Sequence, residues 1–243
     1  MSGTLHLLPT RLGESGVWPD VLPARTRETA CRLRRFVVEN AKTARAALKW
    51  LEHPVPLREL AIEPLPEPLK PQEIERLLAP LLAGEDVGLM SEAGCPGVAD
   101  PGALLVRRAH ALGIPVRPWV GPSSLLLALM ASGLDGQRFA FHGYLPQREP
   151  ERGKRIVELE KESHRLRQTQ IFIETPYRNP ALFDALLAAC RPETLLCVAG
   201  DLTQAGETIT TRPIAAWRRD PRRLASVDFL QRRPTVFLLL SEG

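Results

Sequence analysis

The residues best suited to chemistry fall in two short segments. The first, SEAGCPGVADPG at 91–102, combines the carboxyl groups of Glu92 and Asp100 with the Ser91 hydroxyl and three glycines that let a backbone approach a ligand closely. It follows an apolar run, Val87 to Met90, and precedes a helical pattern. In an open α/β sheet, ligands bind beyond the carboxyl ends of strands. A tight turn in which Asp100 caps the next helix, with Pro101 in its first turn, accounts for the same residues. The second segment, GPSSLL at 121–126, offers the Ser123 and Ser124 hydroxyls and the backbone N–H groups of a helix start. Capping alone explains either loop by itself; two such loops on neighbouring parallel strands favour a shared pocket. Glu174 in IFIETPYRN and Asp201 in AGDLTQAGETI stand at later strand ends, where they either cap helices or bind a substrate hydroxyl.

Several chemistries are disfavoured. The chain has no G-x-G-x-x-G, no G-x-x-x-x-G-K-[ST] and no G-x-S-x-G, which argues against a nicotinamide enzyme, a nucleoside triphosphatase and a serine hydrolase. His6, His53, His110, His142 and His164 show no pairing pattern, and Cys31, Cys95, Cys190 and Cys197 form no CxxC, so no metal is expected. Reduced thiols fit a cytoplasmic protein. The first residues lack a basic stretch followed by a long apolar one, and the longest apolar run, Leu125 to Ala131, is far short of the roughly 20 residues of a membrane span. Neither a signal peptide nor a membrane is expected.

Positioning these loops requires alternating strands and helices. Leu5 to Leu8, Phe36 to Val38, Leu60 to Ile62, Val87 to Met90 and Pro115 to Val120 read as buried strands. Between them, helical patterns run over 41–51, from Gln72 to Gly84, and from Pro101 to Gly113, with Pro80 expected to shorten or kink the second. Six prolines between His53 and Pro71 mark a loop. This order predicts an α/β, doubly wound parallel sheet. After Gly133 a new cycle begins at Phe139, with a charged helix over 152–167 and later strands that lack full crossover helices. That half reads as a mixed α+β sheet. The expected domains are 1–133 and 138–243.

Net charge is +4, from 32 basic and 28 acidic residues, split 15 to 14 before Gly133 and 17 to 14 after it. Neither half is a strongly basic nucleic-acid module. Of the basic residues 27 are Arg, which suits planar recognition of phosphate or carboxylate, although a solvated surface explains most of them.

Taken in order, five segments carry a resemblance to a known family. Ser91 to Gly102 matches a loop close to SDAGTPGISDPG, and Gly121 to Leu134 matches PGPSA with an ALxASGL helix. Phe139 to Pro146 matches F-x-F-x-G-F-L-P, Ile173 to Arg178 a YESPHR-like segment, and Ala199 to Gln204 an ARELTK-like one. The chain therefore resembles the tetrapyrrole methylase-like, class III S-adenosylmethionine-dependent methyltransferases, and among them the bacterial 16S rRNA 2′-O-ribose cytidine methyltransferases. The resemblance implies a two-domain homodimer with S-adenosyl-L-methionine in a cleft between the domains and RNA as substrate. It implies cofactor contacts from Pro9 and Leu12; from Ser91, Glu92, Ala93, Gly94, Val98 and Asp100; and from Gly121, Pro122, Ser123 and Ser124. In the second half it implies contacts from Tyr144, Leu145, Glu174, Thr175, Leu202 and Thr203. Glu39 or Asp100 is the expected catalytic base. The chain departs from the family pattern where EDTR becomes Glu39-Asn40-Ala41-Lys42 and TPIGNL becomes Pro-Thr-Arg-Leu-Gly. Methylation of a small molecule or tetrapyrrole, or cofactor binding without catalysis, stands beside the RNA reading. Arg11, Arg45, Arg148, Arg152 and Arg178 are the candidates for an RNA-facing surface.

Overall fold

The computed structural model describes residues 2–219, 230 and 232–241, and the chain divides into two units, Met1–Ser123 and Ser124–Gly243. In the first, β1 (Leu5–Leu7), α1 (Trp18–Val21), α2 (Ala24–Arg32), β2 (Arg35–Val38), α3 (Ala41–Trp50), β3 (Ala61–Pro64), α4 (Pro71–Leu82), β4 (Val87–Met90), α5 (Ala103–Ala111) and β5 (Val116–Pro118) follow in turn. The strands form one sheet in the order β3-β2-β4-β1-β5, and every pairing is parallel.

Period-two alternation decides which face each strand residue serves. Phe36, Val38 and Met90 face one layer with Leu33, Ala44, Ala47 and Leu48, whereas Val37, Val87 and Leu89 face the other with Leu77, Leu78, Leu81 and Leu105. Both faces are covered, as an all-parallel sheet requires. Gly88 is part of this packing: a Cβ there would lie 2.8–3.1 Å from side-chain carbons of Leu8, Phe36 and Leu33. α4 continues through Pro80 to Leu82, since a proline two residues from the end disturbs only the last turn. The α1 and α2 helices lie in a stretch where the apolar pattern alone marked no helix; α1 is a single turn and α2 is polar on average, and Leu22, Ala30 and Leu33 bury against Phe36 and Leu48.

The second unit contains α6 (Ser124–Ser132), β6 (Phe139–Tyr144), α7 (Glu151–Leu166), β7 (Thr169–Glu174), α8 (Asn179–Ala189), β8 (Leu195–Gly200), β9 (Thr208–Pro213), α9 (Ile214–Arg219) and β10 (Thr235–Leu240). Its sheet order is β6-β7-β10-β8-β9, with β6–β7 parallel and the other pairs antiparallel. Phe172, Leu196, Val198, Phe237 and Leu239 pack on one face against Ile156 and Leu159 of α7 and Leu182, Phe183 and Leu186 of α8. The α6 helix belongs to the opposite face: the Thr211 hydroxyl donates to the Ser132 carbonyl at 2.7 Å, and Thr211 pairs with Cys197. The expected division at 133–138 and the compact units thus differ by this one helix. Buried Glu160 of α7 ties the α8–β8 turn, accepting from the Arg191 N–H at 2.7 Å and the Thr194 hydroxyl at 2.6 Å.

Candidate active site

Because all strands of the first unit run the same way, the loops after β1, β2, β4 and β5 emerge along one edge. The β1 and β4 loops are joined by backbone, the Thr10 N–H donating to the Gly94 carbonyl at 2.9 Å. The β4 and β5 loops meet where the Cys95 thiol reaches the Pro122 carbonyl at 3.4 Å. Space is tight at both junctions. A Cβ on Gly94 would lie 3.2 Å from a Leu12 methyl, and one on Gly121 only 2.2 Å from the Pro9 Cβ. Pro9, Gly94 and Pro122 are buried, Glu92, Ala93 and Val98 are exposed, and Leu12, Gly121, Ser123 and Ser124 are half-buried. Thr10 is buried, and its hydroxyl oxygen has no hydrogen-bond partner among the described residues.

The carboxyl groups gather at the same edge. Glu39 follows β2 directly; its N–H donates to the Met90 carbonyl at 3.1 Å and its Oε2 accepts from the Glu92 N–H at 2.9 Å. Half-buried Asp100 is pushed up to about 6, first by burial, then by the charge of Glu39 and less by that of Glu92, against the Ser91 hydroxyl, which favours the ionised form. That hydroxyl has one proton, shared between Asp100 and the Ala93 carbonyl at 3.3 Å. Burial raises the Cys95 thiol, so this cysteine is not an activated nucleophile.

Asp100 does not cap the following helix. Gly102, at φ 128°, occupies that position with no side-chain cap, because a Cβ there would meet the Leu89 methyl at 2.9 Å. Gly94, Gly97 and Ala99 are also at positive φ, and the Asp100 side chain is bonded to the Ser91 hydroxyl instead of to the start of α5.

In the second unit the expected segments share an edge as well. β6 and β7 are parallel, with Tyr144 opposite Ile173, and Thr235 of β10 lies between Glu174 and Gly200. The carboxyl ends of β6, β7 and β8 therefore align. Their side chains differ in availability. Leu145 and Leu202 are buried and offer only backbone, whereas Tyr144 is exposed. The Glu174 carboxylate is engaged internally, accepting from the Thr175 N–H at 2.7 Å and pairing with Arg178 at 2.9 Å. Thr203, at φ 67°, donates its N–H to Glu207 at 2.8 Å.

The five candidate arginines are not equivalent. Arg152 is spent on Glu149 and Arg178 on Glu174. Arg11 lies over the Trp50 ring at 5.3 Å and donates to the Glu14 carbonyl, while the Trp50 indole N–H holds the Gly16 carbonyl at 3.0 Å. This bracket on the 9–16 loop was not legible from spacing, since Trp50 belongs to a helix 34 residues downstream. Arg45 donates to the Ala41 carbonyl of its own helix, and Arg148 is exposed. Among the described residues no group of three His, Cys, Asp or Glu side chains could hold a metal ion, all four cysteines are unpaired, and no helix is long and apolar enough to cross a membrane.

A parallel sheet with a carboxylate-bearing loop edge, followed by a mixed sheet, is the arrangement that the family model for Tetrapyrrole (Corrin/Porphyrin) Methylases matches over residues 19–216. The chain belongs to the tetrapyrrole methylase family. The ribosomal RNA small subunit methyltransferase I of Xylella fastidiosa is 34% identical over 213 residues, spanning 88% of this chain and 73% of that protein. The protein of the same name from Pseudomonas aeruginosa is 34% identical over 218 residues, 88% of this chain and 71% of its own. Two solved structures share the fold: uroporphyrin-III-C-methyltransferase from Thermus thermophilus (TM-score 0.55, 19% identity, 99% of this chain and 93% of that one) and the methyltransferase CobJ (TM-score 0.61, 18% identity, 99% and 95%). This member of the tetrapyrrole methylases is thus a methyltransferase.

Proposed function

We propose that the chain transfers a methyl group from S-adenosyl-L-methionine to a ribose hydroxyl of small-subunit ribosomal RNA. The observation that carries the chemistry is the carboxyl pair Glu39 and Asp100 on a loop edge sewn together by backbone, and the acceptor class rests on the relatives' names. The residues fit the donor: Thr10 holds an orphaned hydroxyl, a side chain at Gly94 or Gly121 would have to displace Leu12 or Pro9 where the loops meet, and Glu92, Ala93 and Val98 are exposed on the β4 loop. When bound, S-adenosylmethionine supplies an electrophilic methyl group on a sulfonium. Asp100 is the base that accepts the proton of the acceptor hydroxyl. A carboxyl group near 6 is a stronger base than an ordinary one and is still ionised at neutral pH. Glu39 acts on Asp100 by charge and fixes the Glu92 backbone. Ser91, Pro9, Leu12, Val98, Pro122, Ser123 and Ser124 complete the proposed donor contacts of their loops, and Tyr144, Leu145, Thr175, Leu202 and Thr203 are assigned such contacts on the family resemblance. A cytoplasmic homodimer is the state that resemblance supports, tested by sedimentation.

Radiolabelled methyl transfer into total RNA from a deletion strain and its parent tests the proposal. Label in small-subunit rRNA of the deletion strain alone is the expected result. Label only in a small-molecule or tetrapyrrole fraction overturns the acceptor, and failure of the folded protein to bind S-adenosylmethionine overturns the donor.

A further inference from the structure

Tyrosine is scarce in this chain: it has two, Tyr144 and Tyr177. Both are exposed, at 57% and 70%, and both lie at the carboxyl ends of the parallel pair β6 and β7. Tyr177 is held rigidly although its own ring packs little. It sits in a single 3-10 turn, Pro176–Arg178, whose backbone is pinned by Arg178 N–H and Asn179 N–H donating to the Thr175 carbonyl at 2.9 and 3.1 Å. The turn is locked again by side chains, with Arg178 bonded to Glu174 and to the Thr175 hydroxyl at 3.0 Å. Asn179, fully buried, anchors the start of α8 by donating to the Leu230 and Arg233 carbonyls. The Arg178 guanidinium lies 5.2 Å from the Tyr177 ring centroid, within cation–π range. An aromatic ring presented to solvent on a fixed pedestal, with a guanidinium against it, has the composition of a base-stacking platform.

We propose that Tyr177 stacks on an unpaired base of the RNA substrate, with the Glu174–Arg178 pair as the support that aims the ring. This rests on the RNA reading above and adds to it a residue that grips the substrate without touching the methyl donor. Loss of one stacked base by alanine substitution costs about tenfold to a hundredfold in affinity. Arg148, exposed in the turn before α7 and in no ion pair among the described residues, is available to a phosphate of the same substrate.

The test is fluorescence-anisotropy binding of labelled small-subunit rRNA from a strain lacking the gene to the full chain, its Tyr177→Ala variant and its Tyr177→Phe variant. Each titration is repeated across salt concentrations, and S-adenosylmethionine affinity is measured on the same samples by calorimetry. Tyr177→Ala is expected to weaken RNA binding by about tenfold or more. Its salt slope should be unchanged, because no phosphate contact is lost, and its donor affinity should match that of the parent. Tyr177→Phe, which keeps the ring, should bind within about twofold of the parent. Parental binding with an alanine variant of equal affinity overturns the stacking role while leaving the RNA reading intact. A phenylalanine variant as weak as the alanine one also overturns it. A parent that binds no RNA removes the RNA reading and this inference together.

Discussion

Replacing Asp100 by Asn separates what the carboxylate costs the fold from what it does for the reaction. The carboxyl group moves from 3.8 to about 6 on folding. At about 1.4 kcal/mol per unit, the folded chain disfavours the ionised form by at most about 3 kcal/mol. Asp100 is only half-buried, so solvent screening brings this down to about 1–1.5 kcal/mol. The sign follows from linkage. A folded-state value above the unfolded one means that folding takes up a proton between about pH 4 and pH 6. The penalty is absent below about pH 4, grows through that window and is complete above about pH 6. Asn keeps the shape and accepts from the Ser91 hydroxyl but carries no charge. Asp100→Asn should therefore be about 1–1.5 kcal/mol more stable than the parent in urea titrations at pH 7.5, and the two should converge near pH 4. The same variant should lose about 10²–10⁴-fold in methyl-transfer rate if Asp100 is the base. A stability difference that does not change with pH, or a variant less stable at pH 7.5, would refute the electrostatic argument. Unchanged turnover would refute the catalytic one.

Other outcomes are open to measurement. In the parent, kcat/KM should rise with pH through about 6 and then level off, since Asp100 must be ionised to accept a proton; a rate independent of pH between 5 and 8 would count against that role. Gly121→Ala places a carbon 2.2 Å from the Pro9 Cβ, so the β1 and β5 loops must separate, and calorimetry should show at least a tenfold loss of donor affinity with a change in near-ultraviolet circular dichroism. Glu160→Ala strands the Arg191 N–H and the Thr194 hydroxyl in a buried turn, which should cost about 3 kcal/mol in urea titration, whereas the affinity for S-adenosylmethionine of the protein that remains folded should be unaffected.

The first sheet was legible because its signal is local. Phe36-Val37-Val38 and Leu89-Met90 send neighbours to opposite layers, and a run that is apolar at every position needs both faces covered, which only helices on each side provide. The loop edge was legible for the same reason, since Gly and Pro mark where strands end. Connections that depend on distant partners were not. Asp100 followed by Pro101 has the local form of a helix cap, but the start of α5 is set by how near Gly102 must come to Leu89, a contact across 13 positions. Glu39 reads as an isolated acid until the Glu92 N–H, 53 residues on, is found to hold it. In the second unit, Glu174 stands where a ligand contact is expected, yet Arg178 four residues later consumes its charge. The resemblance to the family supplied motif order; it could not show which of these side chains are already occupied.

The position of β1 has a consequence for how the chain is made. Leu5–Leu7 lies between β4 and β5, so a strand synthesised early acquires its two neighbours only after Val87 and Val116 have been added. At about 5–20 residues per second the interval is of the order of 4–20 s. Throughout it, a strand whose Leu5 is completely buried in the finished fold has no permanent partner on either edge. Ribosome-bound chains stopped before β5 should accordingly be cut readily by protease, and those carrying it through the exit tunnel should resist. The strand that begins the loop edge of the candidate site is thus among the last of its sheet to be enclosed.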